Sequence, residues 1–255
     1  MVARGYLVLE GGAEFSGHMK EVDRRALVMA GGADAAVDII PAAAAPDNNH
    51  HRAGGRGVAY FKDIGARNVV YRLVIDHTSA QDRQLAEQLF RSRLIYILGG
   101  FPAHLALSLR GTKCWQSIRG VYESGGVIAG SSAGAMVLCE HFYDPLTDKI
   151  LAGLNLMPNT CIIPHYNTAG SRWVECLLSQ LPGSILLGID EQTGLINDVS
   201  AGGWTVYGAG CVVLHRDEEH QSYAAGQIIS YEALPLANDH RDDGLGDCSS
   251  LPSFP

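Results

Sequence analysis

The chain has 255 residues, of which 47% are hydrophobic and 18% are charged, a composition that excludes an intrinsically disordered protein and suits a folded core. The formal net charge of −8 would repel phosphate backbones and excludes nucleic-acid binding through a basic face. The first apolar run spans only about five residues, too short for a signal peptide, and no run approaches the roughly 18 residues of a membrane span. We therefore expect a soluble, cytoplasmic protein.

Short apolar runs alternate with longer amphipathic stretches over the first 150 residues, which predicts a mainly parallel sheet with crossover helices. Because the apolar runs are nearly continuous, helices should cover both faces of this sheet. In chain order, the predicted elements are a strand at 6–10, a helix at 17–32, a strand at 36–41, a helix at 54–65, a strand at 69–75, a helix at 79–92, a strand at 94–98, a helix at 103–124, a strand at 126–130 and a helix at 133–142.

The pattern changes after residue 150 toward short strands with tight turns. A helix is predicted at 171–181, and the segments 184–198, 204–216 and 221–232 read as antiparallel hairpins that extend the same sheet. The polar, Gly- and Pro-containing residues 236–255 are expected to form a mobile tail. Residues 1–235 are thus predicted to form one α/β domain.

Six cysteines lie far apart, without a C-x-x-C pair or a histidine at zinc-finger spacing. We expect them to be reduced and mostly buried, and we expect neither a metal ion nor a cofactor. The cysteines are Cys114, Cys139, Cys161, Cys176, Cys211 and Cys248.

A glycine-rich segment, "GSSAG" at 130–134, fits the pattern G-x-S-x-G and stands between a predicted strand and a predicted helix. A sharp turn of this kind tolerates only small residues around a strained central residue, here Ser132. The turn would expose the Ser132 hydroxyl at the edge of the sheet, with the N–H groups of the following helix available to a developing oxyanion. The preceding Ser131 should point elsewhere.

A serine hydroxyl needs a base to become a nucleophile, and the sequence offers ten histidines. His165 follows an apolar run in "CIIPHYN", as expected of a residue at the end of a strand beside the serine turn. The other histidines considered lie in helical or polar, tail-like surroundings: His18, His104, His141, His215, His220 and His240.

A carboxylate should orient the imidazole of that base and stabilise its charged form. Asp190 and Glu191 stand side by side at the end of the apolar run in "GIDEQTGL". Because adjacent strand residues face opposite sides of a sheet, only one of the two can serve, and the pattern alone does not choose between them.

Five segments occur in a characteristic order: "LEGGAEF" (9–15), "ILGGFP" (97–102), "VIAGSSAGAM" (127–136), "IIPHYN" (162–167) and "LGIDEQTGL" (187–195). Together they resemble the cyanophycinase and aspartyl dipeptidase (peptidase E) family of serine peptidases, over roughly residues 5–215. The resemblance implies a class I glutamine-amidotransferase-like, flavodoxin-like three-layer fold. It also implies a catalytic triad of Ser132, His165 and Glu191, an oxyanion hole made by the backbone N–H groups of Gly100 and Ala133, and a homodimer.

Other functions remain as alternatives at this point. An esterase of the α/β-hydrolase type would use a later histidine, His215 or His220, with Asp190 or Asp198 as its partner. A glutamine amidotransferase would require a cysteine at position 132, where this chain has serine. A catalytically silent member of the family would bind a small ligand or protein partner in the same cleft.

The chain departs from the cyanophycinase pattern where those enzymes bind a charged peptide. Cyanophycinases carry a glutamine two places after the "GG", where this chain has Pro102, and acidic and amide residues before the histidine, where it has Ile163-Pro164. Several arginines follow the histidine in cyanophycinases, whereas only Arg172 follows closely here. We therefore expect hydrolysis of a small peptide or amide, with these substrate-contact candidates: Glu14, Phe101, Asn167, Arg172 and Gln192.

A polar segment, "APDNNHH" at 45–51, follows the second predicted strand and so lies at the carboxyl edge of the sheet, where α/β ligand sites gather. Asp47, His50 and His51 have the chemistry of metal ligands, but the triad needs no metal. We predict a polar loop that lines the substrate cleft.

Overall fold

The described part of the chain, residues 5–198, 201–217 and 219–235 of a computed structural model, contains fourteen strands and eight α-helices. The strands are β1 (Tyr6–Glu10), β2 (Ala36–Ile40), β3 (Asn68–Tyr71), β4 (Leu94–Ile97), β5 (Val127–Ser131), β6 (His141–Asp144), β7 (Lys149–Ala152), β8 (Thr160–Ile163), β9 (Ile185–Ile189), β10 (Thr193–Asp198), β11 (Gly203–Gly208), β12 (Cys211–Arg216), β13 (Glu219–Ala224) and β14 (Ile228–Ser230). The helices are α1 (Met19–Met29), α2 (His50–Asp63), α3 (His77–Ala80), α4 (Arg83–Leu89), α5 (Pro102–Leu109), α6 (Lys113–Glu123), α7 (Ala133–Met136) and α8 (Val174–Gln180).

The central sheet has the strand order β14-β11-β10-β1-β5-β4-β2-β3. Strands β1 to β5 pair in parallel, and β10, β11 and β14 add antiparallel to the edge formed by β1. Side chains alternate between the two faces: Leu7 and Leu9 enter one apolar core, whereas Val8 enters another. The predicted α/β class, with a mainly parallel sheet and helices on both faces, is confirmed.

The two cores have different helices over them. Helices α1 and α2 cover one face, where Val22 and Phe61 are fully buried. Helices α4 to α7 cover the other face, where Leu89 and Ile118 are fully buried. The parallel strands all end at one edge, and the register places Glu10 beside Ser131 there.

Two predicted helices are each broken into two. The segment predicted as 79–92 forms α3 and α4, because Asp76 accepts a hydrogen bond from Ser79 N and Asp82 accepts one from Leu85 N. Each aspartate caps its own short helix. The segment predicted as 103–124 forms α5 and α6, with a second start where Thr112 caps α6 through Trp115 N.

Three further boundaries differ from the sequence prediction. Helix α7 ends at Met136, well short of residue 142, and the chain then enters the hairpin β6–β7, which was not predicted. Helix α2 begins at His50, so the two histidines of the polar segment lie in its first turn. The predicted helix at 171–181 is a 3-10 turn at Gly170–Trp173 followed by α8.

The C-terminal strands do not form the three hairpins that were predicted within one sheet. A second sheet has the order β13-β12-β9-β8, so β9, β12 and β13 belong to it, whereas β10, β11 and β14 belong to the central sheet. One face of the second sheet joins the large core through Leu187, and the other packs Leu186 against Leu177 of α8. The local pattern of two strands and a tight turn predicted the strands correctly but not their partners.

The remaining predictions have mixed outcomes. All five cysteines in the described part are free; Cys114, Cys139 and Cys161 are buried, Cys211 is partly buried and Cys176 is exposed. None of the helices in this part has the length and apolar character needed to cross a bilayer. The predicted tail, 236–255, lies outside the described residues, and a single domain over 1–235 stays a prediction.

Candidate active site

The serine turn lies between β5 and α7 at the carboxyl edge of the sheet. Ser132 has φ +50° and ψ −115°, a strained conformation for a residue with a side chain, and its N–H donates to Glu10 O at 2.9 Å. A β-carbon on Gly134 would collide with the carbonyl oxygen of Ile97. The small residues of "GSSAG" are therefore required by the close approach of α7 to the neighbouring strand.

The imidazole of His165 contacts this serine. His165 follows β8, has φ +50°, and is held by a hydrogen bond of 2.7 Å from its N–H to Gly11 O. Its ring lies against Gly12, where any side chain would overlap it. A hydrogen bond of 3.0 Å joins Nε2 to the Ser132 Oγ.

The carboxylate of Glu191 contacts the other side of the same ring, with Oε1 2.9 Å from His165 Nδ1. An ionised carboxylate only accepts hydrogen bonds, so Nδ1 carries the proton and Nε2 is free to accept from Ser132. The side chains of His165 and Glu191 are each 36% exposed, which leaves the pair reachable from solvent. Asn167 supports Glu191 by accepting a hydrogen bond of 3.0 Å from its backbone N–H.

The neighbouring Asp190 faces away from this arrangement. Its Oδ2 accepts a hydrogen bond of 2.8 Å from Cys211 N at the start of β12. The choice between the two acidic residues, which the pattern left open, is therefore made by the turn between β9 and β10.

The esterase arrangement is not assembled. His215 and His220 lie on β12 and β13, so the expectation of helical or tail-like surroundings for them was wrong. His215 Nε2 is 2.9 Å from Tyr166 Oη, and burial, with a smaller contribution from nearby His220, lowers the pKa of His215. Asp198, the other carboxylate considered, pairs with Arg25.

Two backbone N–H groups flank the serine. Gly100 follows β4 after Gly99, and Ala133 is the first residue of α7. No hydrogen bond recorded among the described residues uses either N–H. A β-carbon built on Gly99 would lie 3.1 Å from that of Ser132, so the segment with Gly100 runs directly beside the serine.

A cleft of about 340 Å³ opens beside this segment. Of the predicted substrate contacts, Glu14 and Phe101 line it, and Glu14 Oε2 also accepts a hydrogen bond of 3.3 Å from Ser131 Oγ. Gln192 does not line the cleft; its Oε1 accepts a long hydrogen bond of 3.4 Å from His18 N. Arg172 is also outside it, with its guanidinium 5.4 Å from the ring centre of Trp173.

The polar segment at 45–51 contributes to the same cleft through Asp47. His51 Nδ1 is 3.2 Å from Tyr71 Oη, and the rings of His50 and His51 are 4.4 Å apart. No group of three or more metal-ligating side chains with suitable geometry occurs in residues 5–198, 201–217 and 219–235.

Sequence reasoning missed a buried acidic cluster beneath the serine turn. Tyr96 donates a hydrogen bond of 2.5 Å to Glu10, and Tyr60 donates one of 2.7 Å to Asp23; both carboxyls are fully buried. Burial raises the pKa of Glu10, and it raises the pKa of Asp23 to about 7. Glu10 stands at the end of a predicted strand and Asp23 within a predicted helix, and neither position signals a buried acid in the sequence pattern.

An α/β sheet that carries a serine on a strained strand-to-helix turn, within hydrogen-bond distance of a histidine that contacts a carboxylate, is an arrangement typical of serine hydrolases. The model of peptidase family S51 matches residues 7–202, and the chain belongs to this family of serine-type peptidases.

Similar proteins agree with this assignment. A cyanophycinase from Geminocystis herdmanii is 30% identical over 250 residues, covering 92% of this chain and 84% of the relative. A cyanophycinase from Synechococcus elongatus is 29% identical over 240 residues, covering 87% and 71% of the two chains. The crystal structure of a peptidase from an acI-B1 Actinobacterium has a TM-score of 0.77 and 28% identity over 89% of this chain and 97% of its own. A putative peptidase E from Listeria monocytogenes has the same fold, with a TM-score of 0.57 and 16% identity over 87% and 98% of the two chains.

Proposed function

We propose that the chain hydrolyses small peptides through an acyl-enzyme formed on Ser132, with His165 as general base and Glu191 as its orienting carboxylate. The observation that carries the proposal is the continuous hydrogen-bond series from Ser132 Oγ through the imidazole of His165 to Glu191, with distances of 3.0 and 2.9 Å. These are the distances expected for a nucleophile and base in contact before substrate binds.

The reaction begins when the Ser132 hydroxyl attacks the carbonyl carbon and His165 Nε2 takes its proton. The oxyanion that forms is bound by the N–H groups of Gly100 and Ala133, and the carboxylate of Glu191 stabilises the imidazolium. His165 then gives the proton to the leaving amine, which departs and leaves an ester on Ser132. A water molecule, deprotonated by the same imidazole, hydrolyses the ester and restores the hydroxyl.

The substrate class we propose is a small peptide or amide bound in the cleft beside Gly99. The curated relatives are named cyanophycinases, and the likeness to them supports a peptide substrate. Pro102, which stands where those enzymes carry glutamine, is the first residue of α5 and has no polar side-chain group to contact a substrate. We therefore do not extend the proposal to cyanophycin itself.

A fluorophosphonate probe tests the nucleophile. Wild-type protein should be labelled covalently on Ser132, and Ser132→Ala should lose both the label and about 10⁴ to 10⁶ in peptidase rate. Ser179→Ala, on the exposed surface of α8, is the matched control and should keep both. Turnover that survives in Ser132→Ala would overturn the mechanism, and a wild-type protein that is neither labelled nor active would favour the catalytically silent alternative.

A further inference from the structure

The cleft beside Ser132 carries charged side chains that the proposed catalytic reaction does not use. The N-terminal half of α2 contributes Arg52 and Arg56 to its lining, which also includes Glu14 and Gly99. Its volume of about 340 Å³ is at the lower end of the roughly 300–1,000 Å³ typical of small-molecule sites. The cleft therefore suits a short ligand that contacts both α2 and the segment of Gly99 beside Ser132.

Arg52 and Arg56 are four residues apart, which places them on the same face of α2, one turn from each other. Both are exposed, and neither forms an ion pair with another described residue. Arg52 Nε donates to Asn49 Oδ1 at 2.9 Å, which fixes the side chain while its terminal amino groups have no recorded partner. Five other arginines do pair with carboxylates: Arg25, Arg67, Arg72, Arg83 and Arg119.

Neither acidic residue that lines the cleft forms an ion pair with these arginines. Glu14 accepts a hydrogen bond from Ser131, on the side where the serine turn lies. Asp47 precedes α2 and forms no ion pair within the described chain. The cleft thus has a cationic wall on α2, in a protein whose net charge of −8 would otherwise repel an anion.

We propose that Arg52 and Arg56 form a carboxylate-binding subsite, so that the enzyme selects short peptides with a carboxylate placed to reach α2 when the scissile carbonyl lies at Ser132. Guanidinium groups are suited to this role because their planar donors match a carboxylate. The arginine that follows the candidate base, Arg172, stacks on Trp173 outside the cleft, so α2 supplies the cations instead. The subsite deepens the proposed function and rests on it.

The test compares four forms of one short peptide: aspartate or asparagine as the variable residue, each with a free or an amidated C-terminus. Wild-type protein should prefer a carboxylate form by about 10-fold or more in kcat/KM. The double variant Arg52→Gln/Arg56→Gln should lose this preference, because its kcat/KM on the carboxylate forms should fall to the value for the amidated asparagine peptide. Arg91→Gln, an exposed arginine remote from the cleft, is the matched control and should keep the preference.

The four peptides also identify the source of the carboxylate. A preference that disappears on amidation assigns the subsite to the C-terminal group, whereas one that disappears with asparagine assigns it to the side chain. No preference in wild type, or an equal preference in the double variant, would overturn the subsite.

Failure of the proposed function gives a different result. If no peptide is cleaved and the fluorophosphonate probe does not label Ser132, calorimetry with the free-acid aspartate peptide tests the carboxylate-binding subsite separately. Binding to wild type that weakens about 10-fold or more in Arg52→Gln/Arg56→Gln would retain the subsite in a non-catalytic protein. Equal binding, or none, would reject it.

Discussion

At the scale of single residues, the site depends on backbone conformations that few side chains adopt. Ser132 and His165 both have φ near +50°, and each is fixed by a backbone hydrogen bond to β1 or to Gly11, just after it. These hydrogen bonds hold the strained backbone conformation at both positions. The hydroxyl and the imidazole therefore meet without a loop having to close over them.

Replacing Glu191 by glutamine should lower kcat by about 10³- to 10⁴-fold, because an amide can donate to Nδ1 and leave the proton on Nε2, where it blocks acceptance from Ser132. Steady-state rates and fluorophosphonate labelling should fall together. Glu175→Gln, an exposed acid in the first turn of α8, should change neither. A variant at 191 with near-normal rates would show that the carboxylate does not orient the base.

The sequence predicts part of this site. Ser132 is recognisable because the glycines around it are needed for a local steric reason: a side chain at Gly134 would collide with Ile97 O. The contact of His165 with Glu191 joins residues 26 positions apart. The residue pattern indicated His165 and left Asp190 and Glu191 open as its partner, and the choice of Glu191 was reached only through family resemblance. The packing of Gly12 against the imidazole was missed, because a glycine in a sequence does not indicate which residue packs against it.

At the scale of secondary-structure elements, side-chain caps decide where helices begin. Asp82 and Thr112 each accept a hydrogen bond from the N–H three residues later, and both lie inside segments that periodicity alone joins into one helix. The periodic pattern continues because both short helices of each pair face the same core. Hydrophobic periodicity thus predicts which face is buried but not where the helix is interrupted.

Thr112→Ala should destabilise the protein by about 1–2 kcal/mol, since it removes the cap of α6 and a buried hydroxyl that also donates to Leu109 O at 2.7 Å. Urea denaturation followed by circular dichroism measures the change in unfolding free energy. Ser124→Ala, at the exposed C-terminal end of the same helix, should stay within about 0.5 kcal/mol of wild type. Equal effects at the two ends would contradict the importance of the cap.

At the scale of the whole molecule, the core beneath α1 and α2 encloses two carboxyl groups whose pKa values are raised by burial. Glu10 and Asp23 connect β1, α1, α2 and β4 through two tyrosines, and both carboxyls are shielded from water. Their raised pKa values mean that the folded state holds protons which the unfolded chain releases at lower pH.

This protonation predicts a pH dependence of stability. The contribution of Asp23 is fully favourable below its unfolded pKa of about 4 and is lost as the pH rises to its folded value of about 7. Asp23→Asn, which can still accept from Tyr60, should therefore gain stability relative to wild type across this window, by up to a few kcal/mol. Urea midpoints measured at pH 4.5 and 7.5 for both proteins give the comparison, and a difference that is constant with pH would contradict the raised pKa.

The division of strands β9 to β14 between two sheets has a consequence during synthesis. Strand β10 covers the outer edge of β1, so a nascent chain of 180 residues leaves the middle of its future sheet open to pairing with other chains. Glu191 emerges from the ribosome later still. The newborn polypeptide thus brings Glu191 to His165 and pairs the open edge of β1 in the same late step of its synthesis.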